Sequence, residues 1–188
     1  MRKGESIRNS ITGETITMLI GEEETNGARQ LYQVRLPSRR PRPPVHYHLA
    51  FIETFSVIEG KLDIYVGRER KHLILGPGES ATAHIRELHT FANERDTPAL
   101  ITIDTRPAGS VVRAFQLAYG VANEGGAAPD GLPKNLLVRL LFVRLTEGFV
   151  PNVPLPLQKA VLGMAAFVAR VTGVQARLDE YFSSSNSG

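Results

Sequence analysis

Residues 46–60 read HYHLAFIETFSVIEG, and both the fold and the chemistry of this chain are read outward from them. In a strand, side chains alternate between faces, so His46 and His48 point the same way. Glu53 follows after four residues, and the same alternation carries its face on through Phe55 and Val57 to a turn at Gly60. A second stretch, GESATAHIRELHTFAN over 78–93, places His89 eleven residues after Gly78 and four before Asn93, with Phe91 on the His89 face.

The surroundings of these two stretches share their character. TITMLI (15–20), QLYQVRL (30–36), KLDIYV (61–66), HLIL (72–75) and ALITIDT (99–105) are short runs rich in β-branched and aromatic residues. Asn26-Gly27, Glu59-Gly60, Gly67, Gly76-Pro77-Gly78 and Asp96-Thr97-Pro98 punctuate them as turns. Many short strands at this spacing predict an all-β sandwich or barrel over 1–110. Beyond 110 the period turns helical. VVRAFQLAYGVAN (111–123) carries one apolar stripe, Pro133 is placed to open a helix over 134–146, and a third helix is expected from about Leu155 to Leu178. Residues 111–188 are therefore read as a helical extension that packs on the barrel or on a partner copy, with 183–188 as a disordered tail.

Composition narrows the function classes. The 188 residues hold 22 Lys/Arg and 19 Asp/Glu, divided 15 to 14 before residue 111 and 7 to 5 after it, so charge is spread rather than gathered. Arg35, Arg39, Arg40 and Arg42 stand among prolines with no aromatics interleaved, which predicts a solvated loop and no nucleic-acid partner. No run of uncharged apolar residues is long enough to span a bilayer, so neither a transmembrane helix nor a membrane partner is expected. The N-terminus has no apolar stretch behind its basic residues, and a cytoplasmic location is expected. Cysteine is absent, which removes disulfides and thiol nucleophiles. No Gly-x-Ser-x-Gly occurs.

Three imidazoles and one carboxylate, from His46, His48, His89 and Glu53, suit one divalent first-row metal. Against an octahedral ion they leave two positions for substrate, water or dioxygen, whereas a structural zinc site is closed at four ligands. The formal charge of such a unit is one positive, which favours an anionic or enolate-like ligand. Mn, Fe, Ni, Co and Zn all remain open as the metal. Phe55, Val57 and Phe91 would line the pocket by strand parity. His84 and Arg86 are read as flanking groups, a proton carrier and a carboxylate anchor, with a plain surface turn as the alternative. His72 reads as structural or exposed.

The pattern His46-x-His48-x4-Glu53-x6-Gly60 resembles the first signature motif of the cupin superfamily, with Arg40 at the place of its leading glycine. Gly78-x5-His84-x-Arg86-x2-His89-x3-Asn93 resembles the second motif, with His84 at the usual proline and Arg86 at the usual glycine. The whole chain is similar to small bacterial single-domain cupins with a helical C-terminal extension. The resemblance implies a cupin double-stranded β-helix, a jelly-roll barrel, with His46, His48, Glu53 and His89 as metal ligands, and a homodimer. Two functions stay open: a metal-dependent oxygenase with Glu53 also available as a base, or a non-catalytic small-molecule-binding module. Isomerases and decarboxylases use the same fold.

Overall fold

The computed structural model describes residues 1–183. Eleven strands and four helices are present among them: β1 (Ser6–Arg8), β2 (Thr15–Ile20), β3 (Gln30–Leu36), β4 (Tyr47–His48), β5 (Ile52–Glu59), β6 (Leu62–Val66), β7 (Lys71–Leu75), β8 (Ser80–Ala83), β9 (His89–Ala92), β10 (Ala99–Arg106), α1 (Val111–Asn123), α2 (Leu136–Thr146), β11 (Gly148–Phe149), α3 (Leu155–Val171) and α4 (Val174–Ser183). A six-stranded antiparallel sheet in the order β1-β2-β3-β10-β5-β8 faces a three-stranded sheet β7-β6-β9, and β11 pairs with β4.

The inward rows of the large sheet follow from strand parity. Tyr32, Ile103, Phe55 and Ala81 lie side by side across β3, β10, β5 and β8, and the first three are buried. Leu62 and Ile64 of β6 meet them from the other sheet in the same apolar core. The two sheets together form a jelly-roll barrel. The next inward row of the large sheet is Gln30, Thr105, Glu53 and Ala83, all buried. It marks the end of the barrel at which Glu53 stands.

Helix α1 completes that core: Val111, Val112, Ala118 and Tyr119 belong to it. Leu117, on another side of α1, joins Leu141 of α2, Ala169 of α3 and Leu178 of α4 in a second apolar cluster. Among the described residues no single helix is long and apolar enough to cross a membrane; α3 and α4 together reach the length but are bent by 95°.

Several expectations need correction. Helix α2 starts at Leu136 rather than in the turn after Pro133, because the Asn135 side chain accepts from the Val138 N–H and caps it. The expected third helix is two, since Gly173 takes φ +76° and turns the chain. Ser183 ends α4, and 184–188 of the expected tail lie outside the described residues. Arg40 is no solvated loop residue: its Nε donates to Glu14 Oε2 at 2.6 Å, and Glu14 also accepts from the buried Tyr119 hydroxyl. Burial alone would lower the Arg40 guanidinium's pKa, but Glu14 beside it raises it. Arg42 caps the Tyr65 ring at 4.4 Å, and His72 Nε2 lies 2.9 Å from Asp63 Oδ1.

Candidate metal centre

Three strands supply the centre. His46 enters just before β4 and pairs by an isolated bridge with His89 at the start of β9. His48 ends β4, and Glu53 rises from the last inward row of β5. One ligand atom from each of the four lies within 4.8 Å of all the others. His48, Glu53 and His89 are buried.

Each imidazole is fixed in one tautomer. His46 Nδ1 lies 2.8 Å from the Pro44 carbonyl, His48 Nδ1 3.1 Å from that of Glu147, and His89 Nδ1 3.0 Å from that of Glu87. A carbonyl oxygen can only accept, so all three Nδ1 atoms carry the proton and donate it. The Nε2 atoms are thereby left to face Glu53, the arrangement in which outer carbonyls orient metal-binding histidines.

The consequence is sharpest at His48. Its Nε2 is buried and 3.2 Å from Glu53 Oε2, and among the described residues it has no well-aligned hydrogen bond. An imidazole lone pair opposed to a carboxylate oxygen is repulsive unless a proton or a metal cation lies between them. Burial would raise the Glu53 carboxyl, but the His48 and His89 imidazoles outweigh it and hold the group well below the usual carboxylate range. Burial and the adjacent His89 and His48 push His46 down to about 4. Burial would lower His89 too, but Glu53, 3.1 Å from its Nε2, raises it. At neutral pH the site thus offers an ionised carboxylate and a neutral, unprotonated His46 Nε2. That donor set fits a divalent first-row ion.

The expected pocket and flanking residues divide into two groups. Phe55 and Val57 are buried in the core, and the Phe55 ring lies 6.0 Å from His89 and 5.2 Å from Phe91. His84 and Arg86 are exposed in the β8–β9 turn. There the Arg86 N–H donates to the His48 carbonyl at 2.8 Å, and Arg86 takes φ +64°. Arg86 therefore occupies the left-handed conformation that a glycine adopts freely, and its backbone ties the turn to the ligand strand.

Other neighbours of the centre carry no sequence signal. Phe51 stacks on His48 at 4.3 Å. Gly148, paired with His48 in the β4–β11 ribbon, lies so near His46 that a Cβ there would be 3.2 Å from its ring. Glu147 reaches the centre through its backbone carbonyl alone. A strand of two residues after a helix leaves little periodicity to detect.

The family model described as "Cupin domain" matches residues 32–104, from β3 to β10. No curated protein matches the chain. Among solved structures, it is similar to TT1209 from Thermus thermophilus, with 25% identity over 43% of this chain and 74% of that one, at a TM-score of 0.39. It is also similar to a sugar phosphate isomerase of the cupin superfamily from Silicibacter pomeroyi, with 20% identity over 55% and 71%, at 0.46. A third is the polyketide cyclase RemF from Streptomyces resistomycificus, with 16% identity over 57% and 80%, at 0.47.

Proposed function

We propose that this chain, whose residues 32–104 are a cupin domain, binds one divalent transition metal and acts on a small anionic or enolic metabolite as a metal-dependent oxygenase. The convergence of His46, His48, Glu53 and His89, one ligand atom of each within 4.8 Å of all the others, carries the reading. His46, His48 and His89 would hold the ion through Nε2, and Glu53 through its carboxylate. A bound dication supplies Lewis acidity and a template for the substrate.

The chain's own groups do the rest. The carbonyls of Pro44, Glu147 and Glu87 keep each Nδ1 protonated and each Nε2 free. Phe51 and Phe55 pack beside His48 and His89 and keep water from their far sides. Glu53 would serve as a ligand, its carboxylate held ionised by the imidazoles beside it. Three neutral imidazoles and one carboxylate leave a dication with one positive charge in surplus, which draws an anion.

Elemental analysis of protein purified without added metal or chelator, beside a His46→Ala/His48→Ala double variant, is the test. About one ion per chain, lost in the variant, is the expected result. No ion in either protein, even after reconstitution, overturns the reading. Oxygen uptake by the loaded protein with enolic and catecholic acids then separates an oxygenase from a non-catalytic binding module.

A further inference from the structure

A half-open cavity of about 620 Å³ lies between α2, α3 and the β4–β11 ribbon, outside the barrel core. That volume is in the range of small-molecule sites. Leu49, Leu145, Phe149 and Leu162 give it apolar walls, and Arg144 and Lys159 add two cations. The wall is held in place by Gln158, whose side chain accepts from the Val150 N–H and donates to the carbonyls of Val150 and Val153.

The charges in this cavity are not balanced from within. Glu147 is the one carboxylate lining it, and its Oε1 already accepts from the Ser110 N–H at 3.1 Å and the Ser110 hydroxyl at 2.9 Å. Among the described residues neither Arg144 nor Lys159 forms an ion pair. Arg144 stands in the last turn of α2, where the helix dipole favours a cation. Lys159, the fifth residue of α3, has no such setting, and α3 holds no acidic residue to pair with it. Two cations against one carboxylate leave a surplus of one.

We propose that the cavity binds a small amphiphilic monocarboxylate, its head met by Arg144 and Lys159 and its apolar body by Leu49, Leu145, Phe149 and Leu162. A single negative charge matches the surplus, whereas a phosphate dianion would exceed it. The inference stands on the cavity alone and does not depend on a metal in the barrel. The two sites share a residue, since Glu147 lines the cavity with its carboxylate and holds His48 Nδ1 with its carbonyl. Apart from Leu49 the cavity's lining lies beyond residue 104, so residues 32–104 by themselves would not form it.

Calorimetric titration of the full chain with decanoate, acetate and decyltrimethylammonium is the experiment. Decanoate binds once per chain, while acetate, which lacks the body, and the cation, which reverses the head, bind at least about tenfold more weakly. An Arg144→Gln/Lys159→Gln variant loses about tenfold or more in decanoate affinity, consistent with losing charge-assisted contacts. Both side chains are exposed, so its melting temperature stays that of the parent. Lys159→Glu gives an independent charge reversal with the same expected direction. The His46→Ala/His48→Ala variant keeps decanoate binding, so failure of the metal reading leaves this result standing. Decanoate that does not bind, that binds no better than the cation, or that ignores the Arg144 and Lys159 substitutions overturns the proposal.

Discussion

Each histidine of the centre is oriented by a backbone carbonyl, and the geometry at single residues around them sets how well the Nε2 atoms converge. Gly109 is one such residue. A Cβ there would lie 2.7 Å from the Phe51 ring, which is itself stacked on His48. Gly109→Ala must therefore push Phe51 into His48, at an overpacking cost of about 1–3 kcal/mol. Metal affinity is expected to fall about 10–100-fold while the fold persists, as seen when outer partners of metal ligands are disturbed; metal titration beside a urea melt checks both. Arg86 offers the opposite change. Its left-handed φ costs a non-glycine residue roughly 1 kcal/mol, so Arg86→Gly is expected to raise stability by about that amount in urea melts. A loss of stability there would mean that the Arg86 side chain itself supports the turn. The four converging side chains were legible in the sequence because His-x-His and the spacing to Glu53 survive as residue types. Their orienting partners were not, since any residue can present a carbonyl, and Glu147 stands 99 positions from His48.

At the scale of elements, two glycines inside helices predict opposite outcomes. Around Gly163 of α3 a Cβ would meet nothing within 4 Å, so the glycine serves no packing need. Gly163→Ala is expected to stabilise the protein by about 0.5–1 kcal/mol through helix propensity. Gly120 of α1 is different, because a Cβ would collide with the Tyr181 ring of α4, whose hydroxyl donates to Glu124 at 2.6 Å. Gly120→Ala trades the same propensity gain for a clash between packed helices, and a net loss of about 1–3 kcal/mol is expected. Thermal melts of the two variants test the pair, and a gain in both would show that α4 is free to move away. The sequence revealed β2, β3 and α1 with their full extents because each has an unbroken period of its own. It concealed β8, whose Ser-Ala-Thr-Ala has no large side chains to alternate, and the division of α3 from α4. Apolar residues continue on both sides of Gly173, and periodicity records that they are helical without recording that the axis turns.

For the whole molecule, the question is whether the barrel is a unit apart from the helices that follow it. Its apolar core includes Val111, Val112 and Tyr119 of α1, each at most 5% exposed. Burying such side chains contributes about 1.5–3 kcal/mol apiece, together a large share of the roughly 5–15 kcal/mol that holds a typical domain folded. Polar contacts join the same parts. Glu14, 4% exposed, is held between the Tyr119 hydroxyl and Arg40, and Asn9 Nδ2 donates to the Gly131 carbonyl at 3.0 Å. Burial and Glu14 push the Tyr119 hydroxyl well above its ordinary range, so it remains a donor at any physiological pH. A chain ending after Ala108 keeps His46, His48, Glu53 and His89 but loses the inner face of α1, one partner of Glu14 and the carbonyl that orients His48. It is expected to melt far below the full chain or to fail to fold, whereas Tyr119→Phe in the full chain costs only about 1–3 kcal/mol by leaving Glu14 short of one donor. Where the shortened chain does fold, its metal content should fall below that of the parent, because His48 Nδ1 has lost its acceptor. A shortened chain with the parent's melting temperature and metal content would show instead that the barrel needs nothing from residues 109–188.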